Sequence, residues 1–190
     1  TGKLGSLITE ELYRNGFSVS AVAANSKYLP RVYSKLIEAR TNDKMRSVVT
    51  NLCASSNTNG LVMAAAVLDF IPADIIHGKT PSAAGSLDIN LIADKKIIAQ
   101  TPNTLTAKIA FKLESSASDE HFKELAETYR AKYNLSLLVC NLLQDTGDDT
   151  HRAKIFDFAL NQESTVHTKE TLAQVICAHI KQQCHQNRDN

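Results

Sequence analysis

Gly60-Leu61-Val62-Met63-Ala64-Ala65-Ala66-Val67-Leu68-Asp69-Phe70 decides how the chain reads. Gly60 opens a strand predicted over Leu61–Val67. An unbroken apolar run of this length, with no polar alternation, suits a strand covered on both faces of a parallel sheet. It is also the longest apolar stretch in the chain, and far too short to span a membrane. Ligands of open α/β sheets sit beyond the carboxyl ends of strands. Small alanines there leave room for a planar base or a ribose, and Asp69 can accept hydrogen bonds or orient a lysine. A tightly packed core strand closed by a capping aspartate explains the same residues equally well.

Upstream, Leu4, Leu7, Ile8, Leu12 and Tyr13 have helical spacing, and Asn15-Gly16 supplies the residues that end such a helix. Phe17–Ala24 reads as a buried strand, and Asp43 opens a helix through Leu52. Downstream, Ile71–Leu91 interleaves proline, glycine and serine with short β-like pieces and reads as a hairpin or flap leaving the sheet. A short helix near Lys95–Gln100 and a strand over Leu105–Leu113 follow. Ser118 caps a helix over Asp119–Tyr133. Strands are expected at Leu135–Cys140 and Lys154–Leu160, Thr168 caps a last helix from Lys169 to about Gln183, and the polar tail His185–Asn190 is expected to fray. Helices alternating with apolar strands imply one α/β domain over residues 1–190, Rossmann-like, with a mostly parallel sheet and helices on both faces. Such a sheet begins with a strand feeding a glycine turn, so a strand and loop are expected ahead of Thr1-Gly2-Lys3-Leu4-Gly5.

Composition excludes several classes. A net charge of +1 gives no basic surplus for sequence-independent nucleic-acid binding. Cys53, Cys140, Cys177 and Cys184 lack zinc-site spacing, and the six histidines do not cluster, so no resident metal is expected. Nothing in the opening residues reads as a signal peptide, and a reducing, cytoplasmic setting is expected. The acidic residues along the helices read as solvated faces. Tyr129-Arg130-Ala131-Lys132 falls one residue short of a dehydrogenase YxxxK pair.

Thr1–Gly5 could hold an anion at a helix start, although glycine there is often only a turn. Lys79, ten positions beyond Asp69, could swing over a triphosphate, although most loop lysines are simply solvated.

In their order, Thr1-Gly2-Lys3-Leu4-Gly5-Ser6, Ala64–Phe70, Lys79, Phe111-Lys112-Leu113-Glu114 and Asn141-Leu142 resemble the phosphopantothenoylcysteine synthetase family, and His151–Phe156 resembles a segment of its stand-alone bacterial members. The resemblance implies a Rossmann-like homodimer whose flap helps form the partner's site. It implies a ligase that joins cysteine to 4′-phosphopantothenate through an acyl-nucleotidylate, using CTP (bacterial members) or ATP with Mg²⁺. Carried over, Gly2 and Gly5 would cradle phosphate, and Ala64, Ala65, Ala66 and Asp69 would contact nucleotide. Asp94, Lys95, Lys96 and Ile97 would form the nucleotide turn, Phe111 would pack on the base, and Lys132 would lie near the triphosphate. Lys79 would be the catalytic lysine and Asn141 a substrate contact. Asp94-Lys95-Lys96-Ile97 stands where the family has a proline turn, Thr128 where a second lysine is frequent, and Leu142 where aspartate is common. A catalytically inactive relative acting as a binding or regulatory subunit, and an NAD(P)-linked oxidoreductase, are the two alternatives.

Overall fold

The computed structural model describes residues 2–74, 77–78, 85–147 and 150–186. In chain order the elements are α1 (Lys3–Arg14), β1 (Ser20–Ala23), β2 (Lys35–Glu38), α2 (Asn42–Cys53), β3 (Gly60–Met63), β4 (Phe70–Pro72), β5 (Leu91–Ala93), a 3₁₀ turn (Ile97–Gln100), β6 (Ala107–Glu114), α3 (Asp119–Tyr133), β7 (Leu137–Leu142), a second 3₁₀ turn (Leu143–Asp145), β8 (Ala153–Asp157), β9 (Gln162–Val166) and α4 (Lys169–Gln186).

The central sheet has the order β3-β6-β7-β8-β9. β3, β6 and β7 run parallel, while β8 and β9 extend the sheet antiparallel. β1 and β2 form a separate parallel pair, and β4 with β5 an antiparallel ribbon. Period-two alternation divides the core. Ala107, Ile109, Leu137, Val139 and Ile155 face α1 and α4, where Ile8, Leu12, Leu172 and Ile176 meet them. Ala110, Leu138, Cys140 and Phe156 point to the opposite face, against Phe122, Ala126 and Tyr133 of α3. Met45, Val49 and Cys53 of α2 continue that second layer with Ile97 and Leu105. The architecture is the expected α/β sheet with helices on both faces.

Ser118 and Thr168 cap helices as the sequence predicts, and α2, expected from Asp43, starts one residue earlier behind Thr41. Thr41 Oγ1 accepts from Lys44 N, Ser118 Oγ from His121 N and Thr168 Oγ1 from Thr171 N, satisfying amides that have no partner within the helix. The strand ends differ from those of the apolar runs by one to four residues, because backbone pairing and not hydrophobicity sets where a strand stops. The strand expected through Val67 stops at Met63, and the one expected from Lys154 to Leu160 ends at Asp157. β2 and β9 have no counterpart in the sequence reading. β9 is an edge strand with four of its five residues exposed, pairing with β8 through its backbone and a Lys154–Glu163 ion pair after a turn in which Asn161 takes φ 52°.

A buried polar clip ties α4 to the sheet. His179, 4% exposed, has Nδ1 2.8 Å from Asp157 Oδ2 and Nε2 2.9 Å from Ser136 Oγ. These residue types match a nucleophilic triad, yet Ser136 Oγ also accepts from Lys108 N at 3.1 Å and lies at the amino end of β7. It lines neither of the two cavities described below. The arrangement is structural: it joins β6, β7, β8 and α4 through polar groups that would otherwise be buried without partners. We expect His179→Leu to lower unfolding free energy by about 1–3 kcal/mol, since it takes from Asp157 Oδ2 its histidine partner while Ser136 keeps its hydrogen bonds to Lys108. Urea denaturation measures this, and an unchanged midpoint would remove the clip from the account.

Candidate active site

The parallel pairing of β3 with β6 brings two carboxyl ends to one side of the sheet. There a cavity of about 210 Å³ opens between Met63, Ala65, Ala66 and Asp69 after β3 and Ala110–Leu113 of β6. Ile97 and Ile98 close one side, and Tyr129 and Tyr133 of α3 another. The two tyrosine rings meet edge to face, with centroids 5.3 Å apart. The result is a slot with small residues on one wall and aromatic rings on the other, at the place where open α/β sheets hold ligands.

Charge at the rim is paired. Lys96 Nζ forms an ion pair with Asp69, and both side chains are substantially exposed, at 40% and 58%. Lys112 Nζ lies 3.1 Å from Glu114. Burial opposes the charge on Lys112, but its hydrogen bond to Glu114 and the field of Tyr129, Glu114 and Asp69 outweigh it, so the ammonium is held above its ordinary pKa. Lys108, on the same strand but on the α3-facing side, is fully buried and donates to Thr101 O and Asn103 Oδ1. Burial pulls its pKa down.

Six of the residues singled out in the sequence converge on this cavity: Ala65, Ala66, Asp69, Lys96, Ile97 and Phe111. Lys112, Tyr129, Tyr133 and Ile98 join them without having been assigned a role. Lys112 stands within a quoted motif. The tyrosines recur four apart on a helix, a spacing that reads as core packing until the neighbouring strand ends are known.

The remaining candidates are elsewhere. Gly2, Gly5 and Ala64 line a second, larger cavity, with Ala65 and Ala66 shared between the two. Lys95 is exposed and lines neither. Lys132 stands outside the slot with its Nζ 5.4 Å from the Tyr133 ring centroid. Asn141 is buried, 8% exposed, in β7 opposite Leu113. Lys79 lies outside the described residues.

Asp94, expected in the nucleotide turn, is engaged in holding the fold. Its carboxylate accepts from Asn42 Nδ2 at 3.0 Å and pairs with Arg46, tying the foot of the β4–β5 ribbon to the start of α2. The Asn42 hydrogen bond, with help from the Lys95 amide and the Arg46 charge, holds Asp94 below the usual carboxylate range despite burial. Asn42 also bonds both the N–H and the C=O of Leu68, and Asp94 N donates to Asp69 O at 2.9 Å. The two strand roots therefore leave the site in a fixed relation.

Gly2 takes φ 84°, and a Cβ on it would lie 2.8 Å from both Ser26 Cβ and Tyr28 O. Ser6 Oγ donates to that same Tyr28 carbonyl, and Glu10 accepts from Arg31 N. The glycine is thus required by contact with the Ser26–Tyr28 loop. Gly5 would meet nothing.

Over residues 1–184 the sequence matches the family described as DNA/pantothenate metabolism flavoprotein C-terminal domain. The chain belongs to that family. Similar solved structures include the DNA/pantothenate metabolism flavoprotein from Streptococcus pneumoniae, at 23% identity and TM-score 0.82, covering 95% of this chain and 88% of that one. The C-terminal domain of the coenzyme A biosynthesis bifunctional protein CoaBC superposes at 19% identity and TM-score 0.74, covering 98% and 84%. A histidine-to-alanine mutant of Cab2, in complex with phosphopantothenate-cysteine, does so at 17% identity and TM-score 0.70, covering 98% and 80%. At these identities the likeness establishes the fold. A search of curated protein sequences finds no match.

Two outcomes are expected here. Gly2→Ala should cost about 1–3 kcal/mol of stability from backbone strain and the Ser26 clash, while Gly5→Ala, inside α1, should be neutral or stabilising by up to about 1 kcal/mol; thermal unfolding separates them. Glu10 is also held below its ordinary pKa, chiefly by the Arg31 amide. For Glu10 and Asp94 alike, a depressed folded pKa means the stabilisation is present above the unfolded value and is lost as pH falls through the folded one. Acid unfolding of Asp94→Asn should therefore show a shallower loss of stability below about pH 4 than the parent chain does.

Proposed function

We propose that this domain joins cysteine to 4′-phosphopantothenate at the expense of a nucleoside triphosphate, in coenzyme A biosynthesis. The observation that carries the reading is the convergence of Ala65, Ala66, Asp69, Lys96 and Phe111 on one strand-end cavity in a chain of this family. Membership sets aside the oxidoreductase alternative. In the first step the phosphopantothenate carboxylate attacks the α-phosphorus, forming the acyl-nucleotidylate and expelling pyrophosphate. In the second, the cysteine amine attacks the acyl carbon and the nucleoside monophosphate leaves.

The residues divide the work. The alanine wall admits a flat group, and Phe111 offers it a ring surface. Lys112, kept cationic, and Lys96 supply positive charge for the phosphate oxygens. Lys96 can exchange Asp69 for a triphosphate at little cost, because an exposed ion pair is weak. Lys79 is proposed to stabilise charge on the phosphorus as it is attacked. CTP is favoured over ATP by the resemblance to bacterial members. Among the described residues no group of three or more His, Cys, Asp and Glu could cage a metal. Mg²⁺ would then enter on the triphosphate, held mainly by phosphate oxygens.

A homodimer is supported by the apolar surface around the β4–β5 ribbon. Phe70, Leu87, Ile89, Leu91 and Ile92 are each about half exposed or more, an unusual concentration for a monomer's surface. A cytoplasmic setting is supported by four free thiols, and no described helix is long and apolar enough to cross a membrane.

The test is pyrophosphate release with 4′-phosphopantothenate, cysteine, and CTP or ATP. Lys79→Gln should slow it by about three orders of magnitude with the fold intact, as for loss of a transition-state charge. Undiminished turnover removes Lys79 from the mechanism. Nucleotide binding without pyrophosphate release would instead favour the inactive relative. Lys112→Met should weaken triphosphate binding at least ~10-fold by calorimetry.

A further inference from the structure

Two lysines stand at the slot, and their ion pairs differ. The side chains of Lys96 and Asp69 are 40% and 58% exposed, and both line the slot. Those of Lys112 and Glu114 are 30% and 24% exposed, and only the lysine lines it. A carboxylate so near a site for phosphate repels the ligand by its charge, so Glu114 needs another reason to be there.

β6 fixes where both side chains start. Lys112 and Glu114 lie two apart on a strand and so share a face, and the ladder sets Lys112 beside Cys140 and Glu114 beside Leu142 of β7. The same row continues from Cys140 to Lys154 of β8. Lys154 has its own partners, Asp119 at the start of α3 and Glu163 of β9. Among the described residues Glu114 is the one carboxylate paired with Lys112, 3.1 Å away. The other titratable groups around Lys112 are Tyr129 and Tyr133 of α3, Asp69 beyond β3 with its partner Lys96, and Cys140 beside it. Burial pushes the Cys140 thiol up to about 12, so it stays neutral.

Burial also works against the charge on Lys112, and the Glu114 hydrogen bond leads the groups that restore it. An ammonium carries three N–H groups, so one engaged by Glu114 leaves two to face the slot in a set direction. Holding a long, flexible side chain in place beforehand removes an ordering cost from ligand binding.

We propose that Glu114 is a positioning residue for the slot: it keeps hold of Lys112 when a triphosphate enters, making Lys112 a fixed donor while Lys96, leaving Asp69, is the mobile one. The triphosphate rests on the ligase reading; the hold of Glu114 on Lys112 does not.

Calorimetric titration with CTP and with ATP tests this in the parent chain, Glu114→Gln, Lys112→Met and the double variant. Removing a bystander carboxylate would tighten triphosphate binding or leave it alone. Glu114→Gln should instead weaken it at least ~3-fold at neutral pH, and the loss should grow a further ~2-fold or more by about pH 10, where an unsupported half-buried lysine gives up its proton. In the Lys112→Met background Glu114→Gln should not weaken binding. Unchanged or tighter binding by Glu114→Gln, or an equal loss when Lys112 is absent, overturns the assignment, whatever happens to the melting temperature. The Cε–H resonance of Lys112, followed against pH, gives a second reading that needs no ligand. In Glu114→Gln its titration should move to lower pH, and a titration left in place overturns the assignment. If the parent chain binds neither triphosphate, the ligase reading fails and this titration alone decides the role of Glu114. Should the Gln variant not fold, Glu114→Asp, one methylene shorter, takes its place under the same readings.

Discussion

The pairing of β6 with β3 and β7 is the constraint on which the rest of this molecule depends. β6 is the longest strand, and its first four residues are buried because helical layers cover both of its faces. Its residues serve both layers in turn, Ile109 toward α1 and α4, Ala110 toward α3. A one-residue slip would turn each of them to the wrong layer and bring Lys108 into the α1–α4 core. With that register fixed, the carboxyl ends of β3 and β6 lie side by side, and the cavity between them follows.

Polar groups then refine what apolar burial has placed. His179 with Asp157 and Ser136 secures α4 at the amino ends of the strands. Asp94 with Asn42 and Arg46 secures the foot of the ribbon at the opposite, carboxyl side. The two networks have different consequences. The first lines neither cavity and concerns integrity alone, whereas the second fixes the wall on which Asp69 and Lys96 stand.

Much of this was legible in the residues. Apolar runs located β1, β3, β6, β7 and β8, and caps at Ser118 and Thr168 located helix starts, because burial and capping leave local marks. β2 and β9 left none. β9 is polar, and its place is decided by a turn and by hydrogen bonds to β8. At the site, the strand-end alanines, Asp69, Lys96 and Phe111 were visible because they stand in or beside motifs. Tyr129 and Tyr133 were not, since their role depends on how α3 lies across strands distant in sequence. The structural ties of Asp94 were hidden for a similar reason: its partners Asn42 and Arg46 lie about fifty positions earlier.

The clasp around Asp94 also bears on how such a fold can vary. Because Asn42 grips Leu68 and Asp94 together, and Asp94 N meets Asp69 O, both roots of the ribbon are anchored to α2 before the strands diverge. Lengthening or shortening the stretch between Pro72 and Leu91 would leave that anchorage, and the cavity wall beside it, in register. Reach can be altered at the far end of the arm without retuning the pocket at its shoulder.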